Sequence, residues 1–164
     1  MMIATERAER RKRWGDRVPS CIVFIGLPAS GKSTFFKAQF VDTHVRINGD
    51  MLRTAARERL LVQACLEGGT NFVIDKTNVS QAERAVYIQS ALEAGFVVHG
   101  YFFESRKDAC LERNANRALH ERVPEAAILG MRSRLELPTR AEGFDELYFV
   151  KISEGKCLME VYQE

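Results

Sequence analysis

The chain has 164 residues, enough for one ordinary domain, and 46% of them are hydrophobic, so a sizeable core can form. Its formal net charge of +2 permits an acidic partner but does not indicate one. No apolar run approaches the roughly 18 to 20 residues that a membrane helix needs, and residues 1–13 lack the apolar segment of a secretory signal. We therefore expect an intracellular, cytoplasmic protein with no membrane contact.

The cysteines and histidines give no sign of a metal centre. The four cysteines are far apart and form no Cys-x-x-Cys pair, and the three histidines are equally scattered. Mostly apolar neighbours predict buried, reduced thiols. No feature of the sequence indicates an obligate protein partner.

Short apolar segments alternate with helical sequence along the chain. The predicted elements, in chain order, are strand 21–25, helix 32–40, strand 45–47, helix 50–67, strand 71–74, helix 80–95, strand 96–103, helices 106–119 and 125–137, strand 147–152 and an edge segment 158–162. Strands so continuously apolar are typical of a parallel sheet covered on both faces. We predict an α/β fold with three layers and a central, mainly parallel sheet, built by residues 20–164 as one domain. Residues 1–19 form a basic leading segment, which we expect to be a solvated or frayed end; the alternative is that its basic cluster contacts nucleic acid.

The segment after the first strand has the residue types of a phosphate-binding loop. It reads Gly26-Leu27-Pro28-Ala29-Ser30-Gly31-Lys32-Ser33-Thr34 and matches G-x-x-x-x-G-K-[ST]. Its glycines let successive N–H groups face phosphate oxygens, and the following helix adds positive partial charge. Lys32 brings a full charge to the outer phosphates, and the Ser33 hydroxyl suits Mg²⁺.

This motif predicts a P-loop fold with a helical lid that binds ATP and Mg²⁺. The predicted nucleotide-binding residues in the loop are Gly26, Pro28, Ala29, Ser30, Gly31, Lys32, Ser33 and Thr34, with Lys32 also catalytic and Ser33 the metal ligand. GTPase specificity is disfavoured because the chain contains no Asn-Lys-x-Asp segment.

Asp50 and Arg53 follow the second predicted strand. A carboxylate at a strand end that faces a P-loop can take a proton from an attacking hydroxyl. Arg53 lies one predicted helical turn further on, where it can share a face with Asp50 and bind an anionic acceptor. The alternative is that Asp50 caps the helix and Arg53 is solvated.

Two further segments carry candidate site residues. Asp75 ends the buried third strand, where a Walker-B-type acid lies, and Asn78 follows it; turn formation by Asp and Asn is the alternative. Arg113 and Arg117 are four residues apart, so a helix would place both on one face. There they could close over the nucleotide and neutralise charge that develops during transfer.

Taken together, these residues resemble the kinase domain of the polynucleotide 5′-hydroxyl kinase family. The likeness spans residues 21–152 and rests on the P-loop, on Asn-Gly-Asp-Met-Leu-Arg at 48–53, on Ile-Asp-Lys-Thr-Asn at 74–78, on Arg-Asn-Ala-Asn-Arg at 113–117 and on Leu-Pro-Thr-Arg-Ala-Glu-Gly-Phe at 137–144. It implies transfer of the ATP γ-phosphate to a 5′-OH end of DNA or RNA. Asp50 would be the general base, Arg53 would bind an acceptor phosphate, and Asp75 would lie beside the terminal nucleotide. Lys32 and Arg117 would stabilise the transition state, with Arg113 as a possible lid residue.

Two departures from the family pattern lie on the acceptor side. Gly49 replaces the usual Arg before the catalytic Asp, and Lys76 replaces the usual Asn of the Asp-x-Thr-Asn element. No Asp-x-Asp-x-Thr phosphatase motif occurs, so we expect no phosphatase activity from this chain. A P-loop kinase of small molecules and a nucleotide-dependent switch without an acceptor remain as alternative functions.

Overall fold

The computed structural model describes residues 9, 10 and 12–164, and one six-stranded sheet lies at its centre. Its strands are β1 (Ser20–Ile25), β2 (Val45–Asn48), β3 (Phe72–Asp75), β4 (Val97–Phe103), β5 (Glu146–Ser153) and β6 (Lys156–Val161). Their order across the sheet is β2-β3-β1-β4-β5-β6, and only the pair β5 and β6 is antiparallel. The predicted mainly parallel sheet with an added edge strand is confirmed.

Helices connect the parallel strands. After residue 20 the α-helices are α1 (Lys32–Gln39), α2 (Gly49–Leu52), α3 (Ala55–Gly68), α4 (Gln81–Glu93), α5 (Lys107–Ala115) and α6 (Glu125–Ser133). Short 3₁₀ helices cover Leu119–Glu121 and Arg140–Glu142. Among the described residues, no helix combines the length and the apolarity needed to cross a membrane.

Alternating strand residues build a core on each face of the sheet. On one face Phe72 and Ile74 pack with Ile88 of α4 and with Cys65 of α3. On the other face Phe24 of β1 and Val73 of β3 pack with Phe35 and Phe36 of α1, and the Phe24 and Phe35 rings are 5.9 Å apart. A third cluster of buried residues fixes α5 and α6 beside the P-loop, and it consists of Leu27, Val79, Cys110 and Ile128. The three predicted layers are therefore present.

The prediction of a single helix over residues 50–67 is wrong, because two helices, α2 and α3, lie there. Arg53 has a left-handed backbone, with φ of 67°, and ends the four-residue helix α2. Thr54 then caps α3 by accepting a hydrogen bond from the N–H of Arg57 at 3.3 Å. Consequently Arg53 is not one helical turn from Asp50 on a shared face.

The predicted helix over residues 106–119 is also too long. It ends at Ala115, and the Asn114 side chain exchanges two hydrogen bonds with the backbone of Val123, at 2.8 and 3.0 Å. These bonds fold the chain back at the helix end. Arg117 thus lies past the helix that carries Arg113, and the expected shared helical face is absent.

The expectation of a solvated or frayed amino-terminal segment is wrong for two residues. Arg10 is buried and forms a 2.7 Å ion pair with Asp145. Trp14 packs edge-on against Phe96 and donates from Nε1 to the carbonyl of Ala94 at 3.0 Å. The predictions for residues 1–8 and 11 lie outside the described residues.

Candidate nucleotide-binding and phosphotransfer site

The P-loop connects β1 to α1 through backbone turns that require glycine. Gly31 has φ of 99°, and a Cβ there would lie 2.8 Å from Cδ1 of Ile152. Gly26 has φ of 157°, and a Cβ there would lie 2.9 Å from Cβ of Phe103. Side chains at either position would therefore displace β4 or β5 neighbours, which explains both glycines of the motif.

The start of α1 presents unused hydrogen-bond donors. Within the part of the chain that the structure describes, the backbone N–H groups of residues 31–34 donate to no protein acceptor. The first intrahelical bond comes from the N–H of Phe35, which donates to the carbonyl of Gly31 at 3.0 Å. Such a turn, at the positive end of a helix dipole, is an anion-binding arrangement.

The Lys32 side chain is buried against the P-loop. Its Nζ donates to the carbonyl oxygens of Gly26 at 2.9 Å and Leu27 at 2.6 Å. Burial lowers the pKa of Lys32 to about 8, the nearby Asp75 opposes that shift, and Arg117 adds to it. A bound phosphate would restore the charge that burial disfavours.

Asp50 lines the cleft with a carboxylate that no capping bond occupies. Asn48 is the cap of α2, because its Oδ1 accepts from the N–H groups of Asp50 at 3.0 Å and Met51 at 3.1 Å. The Asp50 side chain is exposed and, among the described residues, forms no ion pair. The interpretation of Asp50 as a helix cap is therefore wrong, and its carboxylate is available to an acceptor.

Asp75 is bound by an arginine that the sequence analysis missed. Nε and one terminal nitrogen of Arg46 donate to Oδ2 of Asp75, at 2.8 and 2.5 Å, and that terminal nitrogen also donates to Oγ of Ser33 at 2.9 Å. Asn48 adds a bond from Nδ2 to the Asp75 carbonyl at 3.1 Å. Arg46 lies in β2, the edge strand beside β3, and no local pattern in the sequence marks it as a partner of Asp75.

One cleft gathers most of these groups. Its lining consists of Pro28, Ala29, Lys32, Ser33, Asn48, Gly49, Asp50, Asp75, Lys76, Thr77, Arg117, Val123 and Met131. The cleft thus brings the P-loop, the Asp50 turn, the end of β3 and Arg117 to one place. That arrangement puts a phosphate donor site beside a free carboxylate.

Seven predicted site residues lie outside that lining: Gly26, Ser30, Gly31 and Thr34 of the P-loop, and Arg53, Asn78 and Arg113. Arg113 donates from Nε to the carbonyl of Ala29 at 2.6 Å, so it anchors the tip of the P-loop. Asn78 is buried, and its Nδ2 donates to the carbonyl of Phe24 at 2.7 Å, which fixes the loop after β3 to β1. Arg53 is exposed at the end of α2.

Lys76 shows what the departure from the family pattern does locally. Its Nζ lies 3.2 Å from Oε2 of Glu58 and 3.0 Å from the Tyr87 hydroxyl. Lys76 thereby connects β3 to α3 and α4, while part of its side chain still lines the cleft. The positive charge of Lys76 is therefore largely balanced by Glu58 within the protein.

Sequence comparison finds similarity to one family and to named relatives. The model of the AAA domain family matches residues 21–138. The bifunctional polynucleotide phosphatase/kinase of Schizosaccharomyces pombe is 30% identical over 141 residues, covering 84% of this chain and 34% of the relative. A protein of Acanthamoeba polyphaga mimivirus, whose name also refers to a bifunctional polynucleotide phosphatase/kinase, is 28% identical over 88% of this chain and 36% of its own length. The resemblance predicted from the motifs is confirmed, and the chain spans about a third of these relatives.

Structure comparison supports the fold. Kti12 of Chaetomium thermophilum, solved in complex with ADP-AlF3, matches with a TM-score of 0.56 and 19% identity, over 80% of this chain and 88% of that chain. At this identity the likeness shows the fold alone. It confirms the predicted α/β P-loop architecture.

Proposed function

We propose that this chain, which belongs to the AAA domain family, is an ATP-dependent kinase that phosphorylates the 5′-hydroxyl end of a polynucleotide, DNA or RNA. The observation that carries this proposal is the Asp50 carboxylate, which lines the same cleft as Lys32 and forms no ion pair with any described residue. A switch that only binds nucleotide needs no such base. The names of the two similar proteins support the polynucleotide as acceptor.

On the donor side, the open N–H groups of residues 31–34 bind the phosphates of ATP. Lys32 turns from the loop carbonyls to the outer phosphates, and Arg117, which lines the same cleft, also binds them. Both cations stabilise the charge that spreads over the transferred group. Arg113 contributes by holding Ala29, and hence the loop, in shape.

The oxygen atoms beside the P-loop suit a hard divalent cation. Ser33 offers a hydroxyl and Asp75 a carboxylate, and both are ligand types that Mg²⁺ prefers. Mg²⁺ bound at Ser33 would neutralise phosphate charge on the nucleotide.

On the acceptor side, Asp50 takes the proton of the 5′-hydroxyl as that oxygen attacks the γ-phosphorus. The new O–P bond forms while the bond to the β–γ bridging oxygen breaks, and ADP leaves with that electron pair. Arg53, exposed at the end of α2, binds a phosphate of the acceptor strand. Asp75 lies beside the terminal nucleotide, and Asn78 holds the loop that presents it.

A small-molecule kinase is the second candidate, and Gly49 favours it. An arginine is usual there in polynucleotide kinases, and its absence leaves the acceptor side with less positive charge. In this alternative Lys32, Ser33 and Asp50 keep their roles, while the acceptor is a sugar, a nucleoside or an antibiotic.

The test of the proposal is a transfer assay with γ-labelled ATP and Mg²⁺. The acceptors are an oligonucleotide with a 5′-OH, the same oligonucleotide with a 5′-phosphate as matched control, and a panel of nucleosides and sugars. We expect label on the 5′-OH oligonucleotide and none on its 5′-phosphorylated twin. Label on a small molecule alone would establish the second candidate, and label in free phosphate alone would leave only hydrolysis.

A further inference from the structure

Arg46 makes a double contact beside the P-loop that the proposed reaction does not use. One terminal nitrogen donates both to Oδ2 of Asp75 at 2.5 Å and to Oγ of Ser33 at 2.9 Å. The Asp75 side chain is 2% exposed, whereas that of Arg46 is 20% exposed. A cation therefore already bridges the hydroxyl and the carboxylate that suit Mg²⁺.

Two cations cannot share the Ser33 hydroxyl at close range. A Mg²⁺ ligand oxygen lies about 2.1 Å from the metal, and the oxygen must point a lone pair at it. With the guanidinium nitrogen 2.9 Å from the same Oγ, a metal there would meet strong like-charge repulsion in a partly buried place. Occupation of Oγ by Arg46 and by Mg²⁺ is thus mutually exclusive.

We propose that Arg46 is an internal cation that binds Ser33 and Asp75 and that Mg²⁺ must displace from the Ser33 hydroxyl when Mg²⁺–nucleotide binds. The inference rests on the metal position assigned to Ser33 in the proposed function. Arg46 thereby sets how much Mg²⁺ is needed for tight nucleotide binding. It is a positioning residue, since it acts on the oxygen ligands and not on the reacting atoms.

The surroundings of Arg46 allow the head group to move while its stem stays in place. The guanidinium carbon lies 5.0 Å from the centre of the Phe36 ring, and the other terminal nitrogen is 3.9 Å from Sδ of Met51. Phe36 is a buried residue of α1, whereas Met51 is an exposed residue of α2. The guanidinium can therefore leave Ser33 on the side of Met51 without movement of β2.

A fixed structural ion pair is the competing explanation, and it predicts different binding constants. If Arg46 only braces Asp75, its loss weakens nucleotide binding by one factor, with or without metal. If Arg46 competes with Mg²⁺, its loss strengthens binding only when Mg²⁺ is present. The ratio of the two dissociation constants separates these cases.

The experiment measures the dissociation constant of a fluorescent ADP analogue in saturating Mg²⁺ and in EDTA, for the wild type and for Arg46→Gln. We expect the ratio of the dissociation constant in EDTA to that in Mg²⁺ to be at least about tenfold higher in Arg46→Gln than in the wild type. This magnitude corresponds to the usual strength of one hydrogen bond to a charged group. Arg59→Gln, an exposed arginine of α3, is the matched control and should leave the ratio unchanged. An unchanged or smaller ratio in Arg46→Gln would overturn the proposal.

Thermal unfolding of each variant shows whether it is folded. If Arg46→Gln fails to fold, Arg46→Lys decides, because a single ammonium group cannot reproduce the paired donors of a guanidinium on both Ser33 and Asp75. A folded Arg46→Lys protein should show a ratio above that of the wild type, and an unaltered ratio would refute the competition. No polynucleotide enters the measurement, so the result stands even if the proposed acceptor is wrong.

Discussion

Replacing Asp50 by Asn tests the acceptor-side base with little disturbance of the fold. The change keeps the size of the side chain and removes its negative charge and its ability to accept a proton. Asn48, not Asp50, caps α2, and the exposed Asp50 carboxylate contacts no described cation. We therefore expect the thermal unfolding midpoint of Asp50→Asn to stay close to that of the wild type.

The expected loss is in the transfer step. A positioned general base accelerates proton transfer by about 10²- to 10⁴-fold, equivalent to about 3 to 5 kcal/mol of activation free energy. The P-loop contacts of Lys32 and the open N–H groups of residues 31–34 do not involve Asp50. Affinity for ATP should consequently remain within about twofold, since no group that the proposal assigns to the phosphates changes.

The assay combines single-turnover transfer of labelled phosphate to a 5′-OH oligonucleotide with equilibrium binding of an ATP analogue. Asp108→Asn is the matched control, because the Asp108 carboxylate of α5 is 94% exposed and lies outside the cleft lining. Wild-type transfer rates in Asp50→Asn, or an equal loss in Asp108→Asn, would refute the assignment of Asp50 as the base.

Three other results are expected. Burial lowers the pKa of Lys32 to about 8. Nucleotide affinity measured in EDTA should therefore be constant below about pH 8 and fall as the pH rises above it, because the ammonium group loses its proton. An affinity that does not change with pH would contradict phosphate binding by Lys32. Arg84→Met should lower the free energy of unfolding, measured in urea, by about 3 to 5 kcal/mol, because the Glu142 side chain, which is 3% exposed, loses two 2.7 Å bonds from the guanidinium. A loss below about 1 kcal/mol would show that the pair is not needed for stability. Arg53→Ala should reduce kcat/KM for an acceptor with an internal phosphate more than for a bare nucleoside, and equal losses would remove its assigned role.

The main features of the fold could be predicted because they depend on short segments of sequence. The strand Ser20–Ile25, the P-loop and helix α1 follow each other directly, so apolar continuity and glycine spacing were enough to place them. The break at Arg53 could not be predicted, since arginine favours helices and its left-handed backbone depends on the capping of the next helix by Thr54. Propensity alone therefore joined two helices into one.

The candidate site shows the same limit. Lys32 and Asp50 were found because their motifs are contiguous, whereas Arg46 and Asp75 meet through the pairing of two strands 29 residues apart. That pairing sets Asn48 opposite Asp75 and brings the Arg46 side chain over it. Strand order is a property of the whole sheet, and no local pattern encodes it.

Contacts between residues far apart in sequence also determine how the amino-terminal segment packs. The sequence predicted a solvated end, but Trp14 lies against Gly69 and Gly95, where the missing side chains leave room for its ring. Both glycines also follow the end of a helix, Gly69 after α3 and Gly95 after α4. Their second role, as a surface for an aromatic side chain, depends on contacts more than fifty residues away in sequence.

The most direct test of the proposed polynucleotide kinase compares specificity constants for two acceptors that share the same reacting group. One is a 5′-OH oligonucleotide, and the other is the nucleoside that forms its 5′ end. We expect kcat/KM to be at least about tenfold higher for the oligonucleotide, and this excess should fall as salt rises, because contacts to acceptor phosphates release counterions. Equal or better transfer to the nucleoside would contradict a polynucleotide as the substrate.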